Sequence, residues 1–256
     1  MTMLPIWLLF VLFVIVVPLL VTGLQVLVRR QWPHLAEGEH NDVAGYLIAI
    51  VGVIYAVLLA FVVVVTWQQF SQASNVVGQE ASALRGLYRE TVAFPPEVRE
   101  RVQGDVRDYA AAVVTYEWPA MGRGEPGSPA VAAVLDRTAE HLATLPADTA
   151  IQQAYVAVEA DRFADVLSFR SQRLDFVGQG LPGVLWVALV LGGVVTIGFG
   201  MIFGLRSTSL HLFMTGSLAA TIGVLLFVAI AIDQPFLGDV AVQPAPLERV
   251  LSDFSR

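Results

Sequence analysis

The sequence predicts an all-α, polytopic membrane protein. It has four transmembrane helices, a helical bundle between the second and third, and one long helix continuous from membrane into bundle. Three observations predict this. The chain is 56% hydrophobic and only 14% charged, with a mean hydropathy of +0.67, which is too apolar and charge-poor for an ordinary soluble domain. Four apolar runs are long enough to cross a bilayer. A single side-chain stripe leads out of the second run: Gly45, Ala49, Gly52, Ala56, Ala60, Val63, Trp67, Phe70, Ala73, Val77, Ala81, Leu84, Tyr88. Each step is three or four residues, so the stripe lies on one face of a helix.

The first run, Ile6 to Val28, is apolar throughout, with Pro5 and Pro18 as kink points. No basic residue precedes it and no small-x-small cleavage pattern follows, so it reads as a span rather than a signal peptide. Arg29 and Arg30 end it. A polar loop follows, and Asp42 or Asn41 is placed to cap the next helix, because a short side-chain oxygen can accept from the free N–H groups of a first turn. The long helix is predicted without interruption from Val43 to about Val92, since no proline falls between Asp42 and Pro95. Its length is about 75 Å at 1.5 Å per residue, more than twice a hydrocarbon core of roughly 30 Å.

Pro95 and Pro96 stop this helix. An amphipathic helix through Val98, Val102, Val106, Tyr109, Val113 and Tyr116 follows and is expected to end at Trp118-Pro119. A Gly/Pro-rich loop from Met121 to Pro129 leads to a helix carrying Val131, Val134, Leu135, Leu142 and Leu145. Another helix carries Ile151, Tyr155, Val158, Phe163, Val166, Leu167 and Leu174, and is broken by Gly178, Gly180 and Pro182. The third span is Gly183 to Leu205 and the fourth Leu210 to Ile232. The tail has a weakly amphipathic end at Leu247, Val250, Leu251 and Phe254. The expected divisions are 1–67, a first transmembrane hairpin; 68–180, a bundle; 181–236, a second hairpin; and 237–256, a short tail. Four crossings put both termini on the bundle's side.

Composition also excludes chemistry. With no cysteine there is no disulfide, thiolate or cysteine-ligated metal. A net charge of −7, with no basic run, gives no reason to expect nucleic acid. No nucleophile–base–orienter set and no phosphate-binding glycine loop is visible, so neither an enzyme nor a cofactor is expected. The lipid bilayer is the partner that composition requires. Arg29 and Arg30, close behind an uncharged N-terminus, favour an extracytoplasmic bundle in a bacterial plasma (inner) membrane.

Several blocks resemble one family. Glu39-His40-Asn41-Asp42-Val43-Ala44-Gly45-Tyr46, Trp67-Gln68-Gln69-Phe70, Gln79-Glu80-Ala81-Ser82-Ala83-Leu84, Tyr116-Glu117-Trp118-Pro119-Ala120-Met121 and Asp233-Gln234-Pro235-Phe236-x-Gly238 occur in this order. They are similar to the bacterial bestrophin-like membrane proteins, and the resemblance covers nearly the whole chain. It implies likeness to bestrophins, pentameric anion channels with four spans per subunit and a cytosolic helical domain, and hence a homo-oligomer and chloride or another small ion as partner. The Ile-Pro-Phe-rich neck of bestrophins has no counterpart here. The polar motif residues His40, Asn41, Asp42, Glu80, Glu117 and Asp233 are candidate site residues through this resemblance.

Each candidate has a plainer reading. His34, Glu37, Glu39, His40 and Asp42 could gather a metal or a proton at the membrane surface, but their spacing fits an interfacial loop with a helix cap. Gly45, Ala49, Gly52, Ala56 and Ala60 either line a pore or let helices approach closely. The two agree if the packing surrounds an oligomer axis, where an apolar ring can gate by dewetting. Gly200 and Gly204 read as packing. His211 and Asp233 sit at span ends, where an ionisable group costs little. Two functions follow: an oligomeric anion channel with the long helix near its axis, or a membrane sensor or interaction protein whose bundle binds a ligand or partner.

Overall fold

The computed structural model describes residues 5–33, 41–205 and 207–254. The described elements are helical, and four helices are long and apolar enough to cross a membrane: Ile6–Gln31, Asn41–Ala93, Gly183–Ile202 and Thr208–Ile232. The chain divides into two compact units, one formed by residues 4–69 and 180–233, the other by 70–179 and 234–256.

In the membrane unit the first span comprises α1 (Ile6–Phe10), a π-helical segment (Val11–Val16) and α2 (Val17–Gln31). The wide turn has a local cause. Pro18 has no N–H, and its ring displaces the carbonyl one turn earlier. The Phe13 carbonyl lies against α9 (Thr208–Ile232), where a Cβ added to Gly223 would fall on it. Gly223→Ala should therefore lower the thermal unfolding midpoint strongly, because the obstruction is backbone; overpacking usually costs about 1–3 kcal/mol. Gly198→Ala on α8 (Gly183–Ile202), where an added methyl meets nothing within 4 Å, is the matched control. Equal midpoints for the two variants in detergent would show that this contact does not hold the unit together.

The long helix α3 runs from Asn41 to Glu90, and a 3-10 turn, Thr91–Ala93, completes it. No loop interrupts it at Trp67, as expected. Within the membrane unit Tyr55, Leu59, Val62 and Thr66 are its buried side chains. The Tyr55 ring packs on α8, where a Cβ on Gly192 would stand 2.5 Å from it. That seat is a pair of glycines, Gly192 and Gly193, not the Gly200–Gly204 pair. Burial of this one face of α3, with Leu189, Ile197, Ala219 and Ile222, forms the unit's core.

The bundle unit is built on the second half of α3, through Ala73, Val77, Ala81, Leu84 and Leu87. Against it pack α4 (Pro96–Ala112), α6 (Pro129–Ala143), α7 (Ala150–Asp175) and α10 (Ala245–Phe254). The helix expected to stop at Trp118-Pro119 continues through a second π segment, Val113–Glu117, into α5 (Trp118–Met121). Both π segments end two residues before a proline, Pro18 and Pro119, so the same loss of an N–H widens the turn each time. Asp105 ties α4 to α6, accepting from Arg137 Nε at 2.9 Å and meeting His141 Nδ1 at 2.5 Å. A capping box between Thr149 and Gln152 starts α7. The C-terminal segment is more than a tail: Leu247, Val250 and Phe254 of α10 are buried in the core, and the Phe254 ring stacks on Tyr88 at 3.7 Å.

Candidate functional site

Glu80 and Glu117 are brought together in the bundle by a residue the motifs do not contain, Arg173. Glu80 comes from α3, Glu117 from the π segment and Arg173 from the last turn of α7; all three are fully buried. Arg173 donates from Nε to Glu80 Oε2 at 2.6 Å and from Nη2 to Glu80 Oε1 at 3.0 Å. The same Nη2 donates to Glu117 Oε1 at 2.8 Å. Tyr109 Oη donates to Glu80 Oε1 at 2.7 Å. Arg170 donates from Nη2 to Glu117 Oε2 at 2.7 Å, and the Ser128 amide donates to the same oxygen at 3.1 Å. The guanidinium carbon of Arg173 lies 5.6 Å from the centroid of a Trp118 ring, within cation–π range.

Two carboxylates face two guanidiniums, and every carboxylate oxygen accepts at least one bond. That balance is what makes full burial tolerable, since an unpaired ion there would cost several kcal/mol. Burial alone would push the Glu117 carboxyl up. The hydrogen bond from Arg170 and the charge of Arg173 outweigh it and hold Glu117 below the usual carboxylate range. Burial, then the negative charge of Glu80, holds the Tyr109 phenol well above its usual range, so it stays a donor. The cluster is a closed clamp joining α3, α4, α5 and α7. With every carboxylate oxygen engaged, its chemistry is to hold these helices in one arrangement.

The other candidates lie in the membrane unit. Ala49, Ala56 and Ala60 are exposed, Gly52 has no neighbour where a Cβ would stand, and a Cβ on Gly45 would meet the ring of Phe203, just past the end of α8. Ala56 follows the buried Tyr55 by one residue, about 100° round the helix. The small-residue face is thus turned away from the unit's own core. Asn41 does not cap α3. It is already helical, and its amide donates to the Gly204 carbonyl at 2.6 Å while its oxygen accepts from the Gly204 N–H at 2.9 Å. Asp42 is exposed in the first turn of α3. Asp233 accepts from the Leu181 amide at 2.8 Å, fastening the end of α9 to the chain entering α8. The proposed gathering of His34, Glu37, Glu39 and His40 lies outside the described residues. Among the described residues no three His, Asp or Glu side chains gather as metal ligands.

Sequence reasoning missed Arg170, Arg173 and Tyr109 as partners of the motif acids. It also missed Gln25, which is fully buried in the first span with neither amide atom hydrogen-bonded. A lone glutamine inside an apolar run was the available signal.

Fold and motif positions together define a four-span helical membrane protein with a bundle inserted between its second and third spans. The model of the Bestrophin-like domain matches residues 15–247, and the chain belongs to that family. The fold is shared with solved structures of a bacterial bestrophin homologue from Klebsiella pneumoniae. One variant of that protein superposes with a TM-score of 0.76 at 12% identity, covering 96% of this chain and 99% of that one. The structure phased on zinc gives 0.72 at 15% identity, over 96% and 98%. The sequence has no significant match among curated proteins.

Proposed function

We propose that this protein is an oligomeric anion channel of the bacterial plasma membrane, with α3 nearest the symmetry axis. The observation that carries this is the small-residue face of α3, with Ala49, Ala56 and Ala60 exposed and Gly52 half-buried, in a bestrophin-like protein. Small side chains let copies of one helix approach around an axis, and an apolar lining of that kind gates by dewetting. Chloride or another small ion is the permeant species and further copies of the chain are the partners.

The direct test is the oligomeric state of the purified protein with planar-bilayer currents under asymmetric chloride. A monomer without conductance would overturn the proposal. Ala56→Leu refines it. A bulky side chain on this face should disturb assembly or current, whereas Val57→Leu, about 100° round the helix, should do less. Pore lining predicts altered conductance with the oligomer intact. Packing predicts loss of stability or subunit dissociation first, at about 1–3 kcal/mol, and we expect assembly to suffer before selectivity. No change in assembly, stability or current would remove both roles.

One observation favours the second reading, a ligand-sensing bundle. A cavity of about 320 Å³ lies between α3 and the end of α7, lined by Gln72, Asn75, Val76, Gln79, Gln172, Asp175, Phe176 and Gln179. Amide side chains over an apolar floor of Val76 and Phe176 suit a small molecule with both polar and apolar parts.

A further inference from the structure

The membrane unit contains a second cavity, of about 340 Å³, whose walls are nearly all apolar: Ile48, Phe203, Leu205, Met214 and Leu218. That volume is at the low end of small-molecule sites, roughly 300–1,000 Å³. Its polar side chains are His211, 3% exposed, and Thr215, 2% exposed. The His211 ring is fixed at both nitrogens. Nε2 lies 2.9 Å from the Gly200 carbonyl, which can only accept, so Nε2 carries the hydrogen. Nδ1 therefore accepts from Arg29 Nη1 at 3.0 Å, and the ring is neutral. Arg29 also donates to the Leu205 carbonyl at 2.7 Å. Both groups that hold this guanidinium are uncharged, so it is positioned without being neutralised by them. Arg30, exposed, follows it in the last turn of α2. The described ends of the four spans here carry these two arginines against one carboxylate, Asp42.

A positioned cation at the end of a span, beside an apolar cavity, matches one occupant. We propose that this cavity takes an acyl chain of an anionic phospholipid whose phosphate lies against Arg29 and Arg30. A free inorganic anion would use the arginines and leave the apolar walls without a role. A zwitterionic lipid would use the walls and gain less from the arginines. His211 acts as a positioning residue: it orients Arg29 by accepting from it, and the Gly200 carbonyl holds the ring. The proposal does not depend on whether the protein conducts.

The test uses the full chain, purified and delipidated in a neutral detergent. Phosphatidylglycerol, phosphatidylcholine of the same acyl chains and inorganic phosphate are added separately. Lipid retention is read by native mass spectrometry and stability by the unfolding midpoint. Two arginines at the headgroup give an expected preference for phosphatidylglycerol on the order of tenfold. Arg29→Gln, or Arg30→Gln if the first variant does not fold, should reduce that preference while phosphatidylcholine binding stays the same. Met214→Trp, at a half-exposed wall position, should lower retention of both lipids by filling the cavity. Equal retention of the two lipids overturns the proposal. So does equal stabilisation by inorganic phosphate, or retention unaffected by Met214→Trp.

Discussion

Arg173→Met should be among the most damaging single substitutions in the bundle. Methionine can fill much of the space but carries no charge. It leaves Glu80 and Glu117 facing each other, both fully buried, with the Tyr109 hydroxyl as the remaining donor to Glu80. Breaking a buried ion pair from one side typically costs about 3–5 kcal/mol, because the surviving charge has neither water nor partner. Arg173→Lys should fall between the two. It restores the charge, but a single ammonium cannot reproduce the fork that reaches both carboxylates. Arg170→Ala should cost less, since that side chain is 18% exposed and water can replace part of it. Adding Glu80→Gln to Arg173→Met should recover stability relative to Arg173→Met alone, and this non-additivity is the signature of a coupled pair. Thermal and denaturant unfolding of the purified variants would measure all four. A wild-type midpoint for Arg173→Met would mean the clamp does not hold the bundle.

That clamp also shows where sequence reading stops. Helix positions were legible because apolar periodicity and proline punctuation are local signals. The uninterrupted α3 and the four spans follow from them. Glu80 and Glu117 were visible as motif residues, but Arg173 lies 93 positions from Glu80, and nothing local joins them. The stripe on α3 was legible as a pattern and not as an orientation. Ala73, Val77, Ala81 and Leu84 are buried in the bundle core, whereas Ala49, Ala56 and Ala60 on the same stripe are exposed. In water an apolar face implies a core. In a bilayer the outer surface is apolar as well, so periodicity no longer separates inside from outside. Glycine contacts were half legible for the same reason. Gly200-x-x-x-Gly204 has a recognised spacing, while Gly192-Gly193 and Gly223 matter because of what lies opposite them, Tyr55 and the Phe13 carbonyl. Proline kinks were anticipated at Pro18, yet the form they take, a π segment ending two residues earlier, required the backbone.

The bundle should lose stability as pH rises through about 8, and Glu159→Gln should remove that loss. Glu159 is the fully buried residue on a stretch of α7 that is otherwise largely exposed, and neither carboxyl oxygen has a hydrogen-bond partner. Burial, then the negative charge of Glu90 at the end of α3, push its pKa up to about 8, against a smaller opposing pull from Arg162. Arg162 is itself committed to Glu90 at 3.3 Å. The sign follows from proton linkage. The folded state binds the Glu159 proton more tightly than the unfolded chain does, so the contribution to stability is complete below the ordinary glutamate range. It is lost progressively as pH rises from that range through about 8. Each unit of pKa difference is about 1.4 kcal/mol. The full loss across the window is therefore roughly 4–5 kcal/mol as an upper limit, less if α7 shifts to let water reach the carboxylate. Glutamine has the same shape and no charge, so Glu159→Gln should unfold at nearly the same temperature at pH 6 and pH 9. Wild type should fall between those values, and the variant should be the more stable of the two at pH 9. Parallel curves for the two proteins would show that Glu159 finds a partner or solvent when it ionises, and that its burial carries no pH dependence.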